Sequence, residues 1–232
     1  MRLQFLGDLR DAFKWDLLHW VCTESYPPYA RVIIVPMLNP DDPDSSHGRT
    51  TPEGFDCRPA ILRFLQLLRN EPRQIDLLKN LGKLEDLGSF EVSLYQPNRF
   101  ISSDWSRAHY WEDLEGTFLQ NSLVFVDPDT GFETRTQAGE KHLRFGEALD
   151  LLNRVDQRGC LVVFQYRPQG QPWRDVVKRI SGGGSLGFFR AVLCGNTGLV
   201  IMAKNEALND RVDRALTAYG SAHPEVQIIN NT

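Results

Sequence analysis

The chain has 232 residues, 41% of them hydrophobic and 24% charged, with a formal net charge of −4. That length and apolar share fit a single α/β domain spanning residues 1–232 and leave little room for two. A mildly acidic balance excludes gripping nucleic acid by bulk positive charge, although a local basic face on an acidic body is compatible with it.

In chain order, residues 11–22 (DAFKWDLLHWVC) predict a helix, because Phe13, Leu17, Trp20 and Val21 recur at helical spacing. Asp8 is its expected N-cap, and Asp11 adds negative charge to the first turn. Residues 31–37 (RVIIVPM) form an unbroken apolar run, expected as a buried strand, and lead into the polar Asn39, Asp41, Asp42 and Asp44. Residues 40–58 have loop composition; such a long loop is expected to be functional or mobile, a lid with His47 and Arg49 flanking Gly48. Pro59 opens a helix over 60–70 at its first position, and 73–82 continue helically. Residues 90–95 alternate like a strand, and 104–120 predict a helix with Trp111, Leu114 and Phe118 on one face.

Leu123 to Val126 are too few for a helix and rich in β-formers, so they predict a buried parallel strand. Asp127, Pro128 and Asp129 stop it at once, and Gly131 permits a turn. A polar loop over 134–141 precedes a helix over 144–156, a strand over 160–166 and a helix over 171–180. Ser181–Gly187 (SGGGSLG) is expected as a flexible turn; it follows a helix rather than a strand, which excludes a phosphate loop. Residues 188–193 and 199–203 predict an antiparallel edge hairpin around Gly195–Asn196, followed by a helix over 206–219 and a terminal edge strand over 226–229. Strands alternating with helices give a Rossmann-like, mostly parallel sheet with helices on both faces.

Cys22, Cys57, Cys160 and Cys194 lie far apart, with neither metal spacing nor a disulfide framework, and fit a reduced, cytoplasmic setting. The opening MRLQFLGDLRDAFK lacks a signal-peptide apolar core, and no apolar run nears the ~20 residues that cross a bilayer. A membrane is therefore not the expected partner; nucleic acid, DNA or RNA, is expected instead on the stretches Gly7–Trp15 and Asp127–Glu133.

Two stretches carry the candidate chemistry. The first is Gly7-Asp8-Leu9-Arg10-Asp11-Ala12-Phe13-Lys14-Trp15, in which Asp8, Asp11 and Lys14 are spaced three apart and stay on one side of a helix. Read without context, it is a cap and a surface ion pair worth a few tenths of a kcal/mol. The second is Asp127-Pro128-Asp129-Thr130-Gly131-Phe132-Glu133, which places three acids at the carboxyl end of a buried strand, the edge at which open α/β sheets bind ligands. Read alone, it is also a good β-turn. Crossover topology brings the loops after Met37, Val126 and Tyr166 to that same edge.

A set of uncharacterised bacterial proteins shares both features: a G-D-x-x-D-x-x-K-aromatic-x-L-L opening and an apolar run ending D-P-D-[NT]-G-x-E. The pair resembles, more distantly, the RlmJ family of ribosomal-RNA adenine N6-methyltransferases, which open G-N-x-x-D-x-x-K-H and carry D-P-P-Y-E after a buried strand. The resemblance matches Asp11 and Lys14 to the family's opening Asp and Lys, and Asp127 and Pro128 to the start of its catalytic motif, with Glu133 at its closing acid. It implies a methyltransferase-like sheet with Asp127 central and S-adenosylmethionine as cofactor. The sequence departs from the family at Asp129-Thr130, where a Pro and a base-stacking Tyr stand, and after the first strand, where Asn39-Pro40-Asp41-Asp42 replaces a glycine-rich turn.

From the residues themselves three chemistries stay open. Asp127 can accept a hydrogen bond from an exocyclic amine during methyl transfer. A strand-end carboxylate can activate water or stabilise an oxocarbenium ion in N-glycosidic cleavage, as in the D-P-x motif of uracil-DNA glycosylases, an activity that would suit defence against phage. Asp127, Asp129 and Glu133 can bind a divalent metal for phosphodiester hydrolysis, although D-x-D recurs often by chance. A degenerate, non-catalytic binding module is the further alternative. Gly7, Asp41, Asp42, His47, Arg49, Arg135, Lys141 and His142 are candidate cofactor or phosphate contacts, each also readable as a solvated loop residue. Gln165 and Tyr166 end a strand at the same edge, where Gln165 can read a base or cap the strand. Trp105, Tyr110 and Trp111 are candidate base-stacking residues, with Trp111 at core spacing.

Overall fold

The computed structural model describes the chain except for residues 42–49, 71, 102–103, 113, 115–118, 135–138, 183–186, 205–206 and 231–232. The expected lid residues Asp42, His47 and Arg49, together with Arg135 and most of the Ser181–Gly187 turn, lie outside the described residues.

A seven-stranded sheet organises the protein. Its strands are β1 (Arg31–Pro36), β2 (Glu91–Leu94), β3 (Ser122–Asp127), β6 (Cys160–Tyr166), β7 (Phe188–Cys194), β8 (Thr197–Ala203) and β9 (Gln227–Asn230). A separate parallel pair, β4 (Gly131–Phe132) and β5 (His142–Leu143), flanks the polar loop expected over 134–141. The order across the main sheet is β2-β1-β3-β6-β8-β7-β9. Its first four strands run parallel, while β8 is antiparallel to both β6 and β7. The α/β, Rossmann-like architecture is therefore as expected. The hairpin β7–β8 is not at the edge: β8 packs directly on β6, and β9 takes the edge beside β7.

The unbroken apolar runs of β1, β3 and β6 follow from burial on both faces. Val32, Ile34, Leu123, Phe125, Cys160 and Val162 face one apolar cluster, with α1 (Leu9–Glu24), α2 (Pro59–Leu68) and α6 (Ala207–Ala222). Ile33, Val35, Val124, Val126, Leu161 and Val163 face the other, with α3 (Asp104–Glu112), α4 (Phe145–Arg154) and α5 (Trp173–Gly182). Each large side chain so buried contributes about 1.5–3 kcal/mol. Tyr110 and Trp111 belong to this second cluster, which removes them as base-stacking candidates, and the Trp105 side chain lies outside the described residues. The helix predicted over 104–120 is α3, ending at Glu112, and the stretch predicted over 73–82 is a 3-10 helix, Ile75–Lys83.

The helix α1 departs most from its pattern. Every residue from Asp11 to His19 is buried, because α2, α6 and the 3-10 turn Pro52–Gly54 cover the side that the sheet does not. Trp15 meets Phe125 of β3 edge-on at 5.4 Å. The Asp–Lys pair expected at the surface is thus interior. Asp16 is interior too, its carboxylate held by Arg58 at 2.7 Å.

His19 is fully buried in this layer, and desolvation, then the nearby Arg58 charge, lower its imidazole to about 4. An unfolded histidine titrates near 6.5. Its contribution to stability is therefore complete above pH ~6.5 and is lost as the pH falls toward 4. Relative to a His19→Leu variant, wild type should lose roughly 3 kcal/mol of unfolding free energy across that window. Urea denaturation at a series of pH values measures the difference, and parallel curves would show that His19 does not titrate there.

Candidate functional site

Going from β1 to β2 and then back across β1 to β3, the chain reverses its direction of winding, so β1 and β3 flank the topological switch point. Ligands of doubly wound sheets bind outside the carboxyl ends of the strands at that point. Asp127 is the last residue of β3 and pairs in register with Pro36 of β1. The amino-terminal segment lies against the same edge: Asn39 N–H donates to the Met1 carbonyl at 2.9 Å, and Gln4 N–H donates to Asp41 Oδ1 at 3.1 Å. Asp41 thus holds this segment in place.

Gly7 then redirects the chain into α1 with φ of +77°, where a Cβ would lie 2.5 Å from the Leu65 carbonyl. Asp8 caps the helix, its Oδ1 accepting from Arg10 N–H at 2.9 Å and Asp11 N–H at 3.1 Å. Asp11 reaches back, Oδ2 accepting from Gly7 N–H at 2.8 Å. Both carboxylates gain from the positive end of the helix dipole. Side chains on a helix lean toward its N-terminus, which carries Lys14 back over Asp11 and onto the end of β3. Lys14 Nζ lies 2.5 Å from Asp11 Oδ1 and 2.8 Å from Asp127 Oδ2. All three side chains are at most 6% exposed. Burial pulls the ammonium down, but Asp11 and Asp127 together outweigh it and hold Lys14 above its ordinary value.

A pocket opens beside this bridge, lined among others by Asp8, Asp11, Lys14, Asp127, Pro128, Asp129 and Tyr166. Asp8 Oδ2 is buried with no hydrogen-bond partner among the described residues. Burial, then the neighbouring Asp11 carboxylate, push Asp8 up to about 6. The sequence pattern missed Arg2, which pairs with Asp129 at 3.3 Å, and Arg10, whose guanidinium covers the Tyr166 ring at 4.7 Å. Arg10 stands one helical turn before Lys14, a spacing that does point to it. The pocket leaves about 30 Å³ for water, enough for roughly one or two molecules.

The remaining candidates have other duties. Gln165 is a strut: its Oε1 accepts from Phe132 N–H at 2.8 Å and its Nε2 donates to the Tyr166 carbonyl. It also fixes Gly131, whose φ is +108° and whose Cβ would fall 2.5 Å from the Gln165 side chain. Glu133 turns away from Asp127; its Oε1 accepts from Phe145 N–H at 2.8 Å, at the start of α4, and it lines a different cavity. The trio Asp127, Asp129 and Glu133 is therefore not assembled as a metal site, and no cluster of three or more metal-ligating side chains occurs among the described residues. The Lys141 side chain is exposed, while its carbonyl accepts from Thr130; His142 is half-buried, and desolvation lowers its imidazole. The site lacks the features that cradle S-adenosylmethionine: Met1, Phe5 and Leu6 line the crevice, and β1 ends without a glycine turn.

No family model matches the chain, and no curated protein matches it. Among solved structures, the crystal structure of a Legionella pneumophila str. Philadelphia 1 protein assigned to the family model DUF519 aligns over 97% of each chain, with a TM-score of 0.48 and 10% identity. No helix among the described residues is long and apolar enough to cross a membrane.

Lys14→Ala would leave two buried carboxylates side by side. The expected loss is about 3–5 kcal/mol of unfolding free energy, the scale of a broken buried pair. A surface pair would cost under about 1 kcal/mol, and a loss that small in chemical denaturation would contradict the buried bridge.

Proposed function

We propose that this protein is an enzyme acting on a nucleotide or nucleic acid, and that its reaction is hydrolysis of the N-glycosidic bond. The observation that carries the reading is a small pocket lined by Asp8, which has a buried oxygen without a partner among the described residues, and by the Lys14–Asp127 pair. A carboxylate held near 6 is poised to take a proton from water at neutral pH. In this scheme Asp8 removes a proton from the water, and the oxygen bonds to the anomeric carbon as its bond to the base breaks. The bonding electron pair leaves on the base nitrogen, which is protonated as Asp8 returns its proton. Asp127, fixed by Lys14, faces the positive charge that develops on the sugar.

A second reading is methyl transfer. It is favoured by the meeting of the opening motif and the strand-end motif, 113 residues apart, in one 2.8 Å contact. The poor fit of the cofactor weighs against it.

Incubation with single-stranded and duplex DNA and RNA, followed by chromatography of free bases, tests the proposal. Wild type should release a base, and Asp127→Asn should lower the rate by roughly 10²–10⁴. The rate should rise with pH through about 6 as Asp8 deprotonates. The Met1 amino group, lowered by burial against the pull of Asp127 and Asp129, also titrates at about 6, so Asp8→Asn is the control that should abolish this limb. No base release, together with saturable binding of S-adenosylmethionine in calorimetry, would overturn hydrolysis in favour of methyl transfer.

A further inference from the structure

The turn after β3 separates two cavities. Asp127 and Asp129 face the first, whereas Glu133 faces the second, which offers about 630 Å³. That volume is in the range of small-molecule sites, ~300–1,000 Å³. One wall is the Phe145 ring, stacked on Phe132 at 5.1 Å and 14° and positioned by the Glu133 hydrogen bond to its backbone. The opposite wall is α5, with Lys178 and Arg179.

Arg179 is the unexplained group. Its Nη1 donates to Gln171 Oε1 at 3.1 Å, yet Nε and Nη2 are buried with no acceptor. Among the described residues no carboxylate accepts from Nε or Nη2: Glu133 is engaged at Phe145, and Asp175 stands one turn earlier on α5. Adjacent guanidinium nitrogens without acceptors form a fork that matches two oxygens of one phosphate. The Lys178 ammonium adds charge at the same wall, and the aromatic face opposite suits a flat ring.

We infer that this cavity is a nucleotide subsite, with the phosphate on Arg179 and Lys178 and the base against Phe145. The inference rests on the proposed nucleotide or nucleic-acid substrate and gives it a second anchoring point on the same sheet edge. The phosphate belongs either to a free mononucleotide or to one unit of a strand, and both present the same chemistry to Arg179.

Calorimetric titration of the full chain with adenosine 5′-monophosphate, adenosine, inorganic phosphate and a short single-stranded oligonucleotide tests it. Wild type should bind the monophosphate saturably and adenosine at least tenfold more weakly. Arg179→Gln should lose at least tenfold in affinity for the monophosphate. Arg179→Lys, which keeps the charge without the fork, should fall between, with circular dichroism showing both variants folded. Tighter binding of the oligonucleotide than of the monophosphate would assign the phosphate to a strand, and the reverse order to a free nucleotide. Absence of saturable binding by both the monophosphate and the oligonucleotide, or equal affinity in wild type and Arg179→Gln, overturns the subsite. Loss of binding in Arg179→Gln with no base release from any nucleic acid would leave the subsite standing and remove the proposed hydrolysis.

Discussion

The bridge in which one ammonium joins two carboxylates, Asp11–Lys14–Asp127, fixes the first helix to the end of the central strand. Each of these charges would be costly to bury alone. Together they are tolerated because hydrogen bonds satisfy them from several sides, with Gly7 N–H serving Asp11 and Asp8 serving the helix start. Among the described residues, one buried oxygen of Asp8 has no partner, and Asp8 lines the pocket beside the bridge. The bridge therefore preorganises the site as well as anchoring the fold, and it depends on Gly7 turning the chain where no larger residue fits.

The turn after β3 serves both cavities. Gln165 reaches across from the neighbouring strand to hold Phe132 N–H, and Gly131 leaves room for it. Asp127 and Asp129 are thereby directed to one side and Glu133 to the other. A motif that reads as one acidic cluster in sequence becomes two separate sets of contacts in space: Asp127 paired with Lys14, and Glu133 as a cap that seats Phe145.

Much of this was legible beforehand. The runs in β1, β3 and β6 announce themselves because parallel strands buried on both faces lack alternation, and Asp8 is a cap in sequence and in structure. The burial of Lys14 was not legible, because helical periodicity shows one apolar face and cannot reveal that α2 and α6 cover the other side. Nor was the role of Gln165, which exists only once β6 lies beside β3 in a particular register. Glu133 looked like the third acid of a set because sequence proximity hides the reversal at Gly131. The pair β4–β5 is two residues long on each strand, too short for any pattern.

The most direct measurement is a carboxyl carbon-13 NMR titration of the free protein, with Asp8→Asn and Asp127→Asn assigning the signals and nitrogen-15 labelled lysine reporting Lys14. Asp8 should titrate at about 6, while Lys14 keeps its proton well past the ordinary lysine range. An Asp8 signal titrating near 4 with its exposed counterparts, or a Lys14 ammonium that deprotonates as a free lysine does, would contradict the buried bridge and the proposed reaction built on it.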